Sequence, residues 1–393
     1  MEILKYIHAQ AKPISRAQIV EAFGVSRSKI SGEVAGLLQA GLLAEEGLKD
    51  SDGGRPSTLL YIPRTAGLIA AVDLGVTSMD VALTTLGGSI LARRSESCHI
   101  RHGPEVILPR IKTLLTALLA EQGATPQQVV GIGIGIPGPV EHGTGIPFAP
   151  PQMPEWDRFP FKEAFIDEYS APVFVDNDAN VMALGEHRRG AAIGVHHVIF
   201  VKVGTGIGSG IIANGTLYRG AQGSAGDLGH ISLDPNGPLC ICGNKGCLGA
   251  LAGGDALARR AEEAARKDSS SLLCEMLEEK GCLDAVNVGK AAARGDACAI
   301  AIIREAAKLI GEALAILVSL LNPDMIVIGG GVARIGNILL AEIRSVIYQR
   351  SLPLATRHIS IVPTKLDHVV GVIGANALAM EGLLEKGMDS FIR

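Results

Sequence analysis

This sequence predicts a two-lobed α/β body preceded by a winged helix-turn-helix module, and three observations carry that expectation. Residues 1–62 alternate short helical patterns with turn residues and close in a hairpin pattern. From Leu68 onward, strand-like apolar runs end repeatedly in glycine-rich or acidic turns, where α/β proteins place ligands. A cluster of soft ligands, His230, Cys240, Cys242 and Cys247, follows the glycine-rich stretch 204–229.

The composition fits this class. The chain has 393 residues, 47% hydrophobic, with 49 Gly and one Trp, which suits a glycine-rich α/β protein of two or three domains. A net charge of −4 excludes a chain coated for nucleic acid along its whole length, so DNA binding would be local. The first residues lack a signal-peptide pattern, and no run of about 18 uncharged apolar residues occurs. A cytoplasmic protein without a membrane partner is expected.

In the N-terminal module, Ile3, Leu4 and Ile7 have helical spacing, and Pro13 ends that helix. Ser15 is placed to cap a second helix carrying Ile19, Val20 and Phe23. Gly24-Val25-Ser26 makes a tight turn, and Ser26 caps a third helix with Ile30, Val34, Leu37 and Leu38 inward. Arg27, Ser28, Lys29 and Ser31 then lie at the exposed start of that helix, as donors to phosphates and base edges. The stretch 45–62 reads as a hairpin wing with Gly53-Gly54-Arg55-Pro56 near its tip, where Arg55 can enter a minor groove. Lys12 and Arg16 also fall where DNA would lie. Seven basic and seven acidic residues balance within 1–62, so a small interaction or dimerisation domain is the competing reading.

In the body, 68–77 reads as a buried strand ending in Asp73-x-Gly75-x-Thr77, followed by a second strand over 81–86. The amides and hydroxyl of such a hairpin can face a phosphate, and its aspartate can hold hydrated Mg²⁺. The run 129–139 leads into a glycine-proline loop. A strand at 173–175 meets Asp176-Asn177-Asp178 and then a helix; Asp178 is placed to act as a general base towards a sugar hydroxyl. The strand 198–203 precedes a loop, 204–210, whose Gly204, Thr205, Gly206 and Gly208 can approach phosphate oxygens. A long helix over 302–321 leads to a strand with the glycine-rich end Gly329-Gly330-Gly331. Two phosphate-type hairpins and a late glycine-rich strand suggest two similar lobes around a cleft.

The four ligands His230, Cys240, Cys242 and Cys247 fall within eighteen residues, a spacing that suits one tetrahedral zinc. Disulfides are the competing use. The total of seven cysteines is odd, and a reducing compartment favours metal.

These motifs together resemble the ROK family (repressors, open reading frames and sugar kinases) over nearly the whole chain. The carriers are Asp73-x-Gly75-x-Thr77, Asn177-Asp178, Gly204-Thr205-Gly206-Ile207-Gly208, Gly226-Asp227-Leu228-Gly229-His230 and Cys240-x-Cys242-Gly243-x-x-Gly246-Cys247. The resemblance implies the actin-like, hexokinase-like pair of lobes. It implies lobes over 63–176 with 369–393 and over 177–368, the second holding the zinc loop. It further implies sugar contacts from Asn177, Asp178, Asp227 and His230. The phosphate side falls to Asp73, Gly75, Thr77, Gly204, Thr205, Gly206, Gly208 and Gly330, and structural zinc to His230, Cys240, Cys242 and Cys247. An added winged helix is typical of the repressor branch.

Two departures stand out. Asp227 replaces the usual glutamate, and Gly249 replaces a glutamate that accepts sugar hydroxyl bonds in relatives. A missing acceptor costs on the order of 1–3 kcal/mol. The resulting expectation is a sugar-responsive regulator that binds operator DNA and a sugar or sugar phosphate as a homodimer or homotetramer. The alternative is an ATP-dependent sugar kinase with Mg²⁺, in which Asp178 is catalytic.

Overall fold

The computed structural model describes residues 2–10, 12–49 and 57–387. Arg55 and the rest of the expected wing tip lie outside them.

The N-terminal module comprises α1 (Glu2–Ala9), β1 (Ile14–Ser15), α2 (Arg16–Phe23), α3 (Arg27–Gln39), β2 (Ala44–Lys49) and β3 (Ser57–Tyr61). Local chemistry sets its turns. Ser15 Oγ accepts from the Gln18 amide, and the Ser15 amide donates to Gln18 Oε1 at 2.9 Å, a reciprocal cap on α2. Gly24 ends α2 at φ 62, a left-handed conformation that glycine adopts without penalty. Ser26 caps α3 as its position predicts. Ile30, Val34 and Leu37 are buried, while Leu38 is half-buried. β2 and β3 form the expected antiparallel hairpin, and β1 adds a third strand in the order β1-β3-β2. A two-residue strand carries no readable periodicity, so the sequence shows only its cap.

The first body sheet runs β10-β7-β4-β5-β6. Its strands are β4 (Leu68–Leu74), β5 (Ser78–Thr85), β6 (Ile90–Ser97), β7 (Val129–Ile136) and, after the small pair β8 (Val140–Glu141) and β9 (Ile146–Pro147), β10 (Val173–Asn177). Between them lie α4 (Pro104–Glu121) and α5 (Phe161–Ala164). The second sheet runs β13-β12-β11-β14-β15. It is built from β11 (Val198–Val203), β12 (Ile207–Ala213), β13 (Thr216–Tyr218), β14 (Met325–Gly329) and β15 (Ser360–Pro363). Each sheet has an antiparallel three-strand meander on one side and two parallel strands on the other. The two lobes thus repeat one topology.

Two helices fill the space between the sheets: α6 (Asp178–Arg189) and α14 (Val370–Lys386). Alternation along β4 shows why. Leu68, Ala70, Val72 and Leu74 share a core with α4, whereas Ala71 on the opposite face joins the core of α6 and α14. The remaining helices are α7 (Leu248–Ala252), α8 (Gly254–Lys267), α9 (Leu272–Lys280), α10 (Ala285–Ala293), α11 (Ala297–Leu321), α12 (Asn337–Arg350) and α13 (Pro353–Thr356). Most of them supply the outer core of the second lobe.

The module at 2–62 does not stand apart. Its core, with Ile3, Leu4, Ile30 and Leu60, is continuous with Ile69, Leu86, Val130, Ala379, Met380 and Leu383 of the first lobe and α14. Among the described residues, no helix is long and apolar enough to cross a membrane.

Candidate ligand cleft and metal centre

A cleft of about 840 Å³ opens where β4, β7 and β10 of one sheet and β11 and β14 of the other reach their carboxyl ends. Every residue expected to meet sugar or phosphate lines it: Asp73, Gly75, Thr77, Asn177, Asp178, Gly204, Thr205, Gly206, Gly208, Asp227, His230 and Gly330. The topology gathers segments that lie far apart in the chain.

Backbone geometry positions several of them. The Gly75 amide donates to the Ser78 carbonyl at 2.7 Å, closing the β4–β5 hairpin beside Asp73. Asp73 Oδ1 is buried without a hydrogen-bond partner. Burial pushes Asp73 up to about 7, against the pull of the Lys202 ammonium. A Cβ on Gly371 would sit 1.9 Å from Asp73 Oδ2, so glycine there lets α14 start directly on this carboxylate. Gly330 has φ 95 and faces the Val203 carbonyl at 2.4 Å from an ideal Cβ, which excludes a side chain at the end of β14.

Asn177 caps α6: its Oδ1 accepts from the Ala179 amide at 2.9 Å, and its Nδ2 donates to the Gly138 carbonyl at 3.1 Å. Its side chain therefore already has partners within the fold. Asp178 follows at the first turn of α6, largely buried. Asp176 is fixed on both oxygens, by Arg219 Nε at 2.7 Å and Asn180 Nδ2 at 2.9 Å.

The expected loop 204–210 needs correcting. Only 204–206 is a turn, and Gly208 to Gly210 belong to β12. Gly208 still borders the cleft, but Gly210 serves packing. A Cβ there would lie 2.5 Å from the Ala179 carbonyl, so its absence lets α6 press onto β12.

Sequence reasoning missed Lys202. It sits in an otherwise apolar strand, and its ammonium donates to Asp178 Oδ2. Burial works against that charge, but the Asp178 and Asp73 carboxylates outweigh it and raise its pKa. A lysine inside a buried strand pattern was the available signal, since buried charge requires a partner. Glu186 was missed too. Its Oε1 accepts from the Thr364 hydroxyl and, at 3.1 Å each, from the Lys365 and Leu366 amides, fastening α6 to the loop before α14.

Beside the cleft, His230, Cys240, Cys242 and Cys247 bring their ligand atoms within 4.8 Å of one another. Cys242 Sγ lies 3.6 Å from Cys247 Sγ, and Cys240 Sγ lies 3.4 Å from His230 Nδ1. These separations exceed a disulfide bond and approach the edges, about 3.3–3.8 Å, of a tetrahedron with zinc–ligand bonds of 2.0–2.3 Å. The donor set fits structural zinc. Asp227, whose pKa burial raises and His230 opposes, stands at the edge of the same loop.

In the module, Arg27, Ser28, Lys29 and Ser31 are exposed on α3. Arg16 pairs with Glu45 at 2.5 Å, so a phosphate would have to compete with that carboxylate.

A two-lobed body with a cleft at the strand ends and a flanking Cys/His loop defines a sugar-kinase-like fold. The chain belongs to the ROK family, whose profile matches residues 69–381. It is 30% identical over 375 residues to the xylose repressor of Caldicellulosiruptor bescii, covering 95% of this chain and 93% of the relative. The crystal structure of a ROK family transcriptional regulator, a homologue of the Escherichia coli MLC protein, superposes with a TM-score of 0.79 at 26% identity, over 96% of this chain and 94% of that one. A ROK family glucokinase from Streptomyces griseus, in complex with glucose and AMPPNP, matches with a TM-score of 0.71 at 32% identity. It is covered completely by 80% of this chain.

Proposed function

We propose that the chain is a DNA-binding transcriptional regulator of the repressor branch of the ROK family, controlled by a sugar or sugar phosphate in the interlobar cleft. The carrying observation is the winged-helix module, whose core runs on into the first lobe. The similarity to the regulator spans 96% of the chain, whereas that to the glucokinase spans 80%.

In this reading α3 enters a major groove, with Arg27, Ser28, Lys29 and Ser31 facing DNA, Arg16 at its flank and Arg55 on the wing. Asp178, Asp227, His230 and Asn177 form the sugar side of the cleft. The lobes, 63–176 with 369–393 and 177–368, close around the ligand. Zinc held by His230, Cys240, Cys242 and Cys247 would stiffen the loop that carries Asp227 and His230. Two copies read paired half-sites, as a homodimer or a pair of dimers, in the cytoplasm.

A second reading is an ATP-dependent sugar kinase. It is favoured by the preserved Asp73 hairpin and by Asp178. The Lys202 ammonium weighs against it: it occupies Asp178 Oδ2, an oxygen that a general base would have to present to a sugar hydroxyl. Gly249, on α7, also leaves the position of a sugar acceptor empty. The deciding experiment incubates purified protein with ATP, Mg²⁺ and a panel of hexoses, pentoses and amino sugars. The regulator reading predicts sugar-dependent thermal stabilisation without ADP release. Steady ADP release that Asp178→Asn abolishes would establish the kinase.

A further inference from the structure

One helix joins the cleft to the N-terminal module. α6 begins at Asp178, which lines the cleft, and ends at Arg189. Twelve residues at 1.5 Å each make a rod of about 18 Å. At its far end Arg189 Nη2 donates to the His8 carbonyl at 2.6 Å and to the Gly87 carbonyl at 2.8 Å. His8 is buried in α1, and Gly87 lies in the turn after β5. A single guanidinium therefore clasps the module to the first lobe while riding on a helix that packs against the second sheet. Burial, then Arg189 and Arg188, push His8 down to about 3, so a neutral ring faces this cation.

α6 is also locked to α14. A Cβ on Gly185 would lie 2.6 Å from the Val370 carbonyl, and one on Gly374 would lie 1.8 Å from the Val181 carbonyl. Arg188 pairs with Glu381 on the same interface. α14 makes the same journey as α6. Val370 at its start lines the cleft, and Ala379, Met380 and Leu383 lie in the core shared with the module.

We propose that Arg189 is the relay that couples ligand binding in the cleft to the orientation of the DNA-binding module, with α6 and α14 moving as one rigid pair. This inference rests on the reading of the chain as a sugar-responsive regulator. Close-packed helices transmit displacement instead of absorbing it. A ligand that engages Asp178 shifts the start of α6, and the guanidinium moves with its end. The His8 carbonyl then loses its part-buried donor unless α1 follows, and a hydrogen bond left unmade away from water is costly. The ligand acts to the extent that it binds the two arrangements unequally.

The test reads coupling separately from affinity. The DNA probe is a labelled duplex selected from a random library by the full-length protein. The sugars are D-glucose, D-xylose, N-acetylglucosamine and their phosphates. Fluorescence anisotropy gives the DNA Kd with and without saturating sugar, and calorimetry gives the sugar Kd. The parent should change its DNA Kd by roughly 5- to 150-fold with its sugar. Arg189→Met should bind the sugar with the parental Kd, yet change its DNA Kd by less than about twofold, against that range. A variant that binds both ligands and keeps the parental ratio overturns the relay. If Arg189→Met fails to fold, Arg189→Lys keeps the charge but not the paired donors, and its ratio must fall at least about threefold; an unchanged ratio again overturns it. A parent that binds both ligands with a ratio of one also refutes the relay. A parent that binds neither removes the regulator reading itself, and the relay with it.

Discussion

The Lys202 ammonium lies against the Asp178 carboxylate, with the two side chains 18% and 7% exposed. The carboxylate at the start of α6 is thus held in a buried ion pair. Removing one partner strands the other charge. Lys202→Met should lower stability by about 3 kcal/mol or more, while Lys202→Met with Asp178→Asn should recover most of that loss. Urea denaturation of the four proteins measures it. Losses that simply add would show that the two groups do not interact.

The zinc assignment predicts one tightly held zinc per chain by elemental analysis. Cys247→Ser should lose the metal, lower the melting temperature and weaken sugar binding together, because the same loop carries Asp227 and His230. A metal-free protein with an unaltered melting curve would dismiss the site.

Asp73 gives a pH signature. Its carboxyl titrates near 3.8 when unfolded and is raised to about 7 by burial in the fold. The folded state therefore holds a proton that the unfolded state has released, and stability falls as pH rises from about 4 to about 7. Asp73→Asn removes that loss. Its gain in melting temperature over the parent should be absent near pH 4, grow with pH and level off above about 7. A gain independent of pH would mean that Asp73 is not raised.

The exposed start of α3 predicts a division of effects. Lys29→Ala should weaken binding to all duplexes and reduce the slope of log affinity against log salt by about one. Arg27→Ala should also relax sequence preference if it reads a base. Sugar affinity should hold in both. Unchanged DNA affinity in both variants would remove α3 as the recognition helix.

Local signals in the sequence were dependable where chemistry is local. Ser15, Gly24 and Ser26 end or start helices as their types require, and the Cys/His spacing closes into a cluster. Asp73, Gly75, Thr77, Asn177, Asp178, Gly204 and Gly330 were legible because they close or follow apolar runs, whereas Asp227 and His230 came only from the family motif. What escaped was non-local. Whether Gly208 and Gly210 belong to a loop or a strand depends on α6 pressing onto β12, which no window of sequence reveals. Lys202, Glu186 and Arg189 find partners 24, 178 to 180 and 102 to 181 residues away. The module's continuity with α14 likewise arises from opposite ends of the chain.

The central claim, that a sugar in the cleft controls DNA binding by the module, has one direct test. The Kd of the full-length protein for its library-selected duplex is measured with and without each sugar, while ADP release with ATP and Mg²⁺ is followed in parallel. The account predicts that at least one sugar or sugar phosphate changes the DNA Kd by roughly fivefold or more, with no sustained ADP release. Rapid sugar-dependent ADP release from a protein that binds no duplex would contradict it.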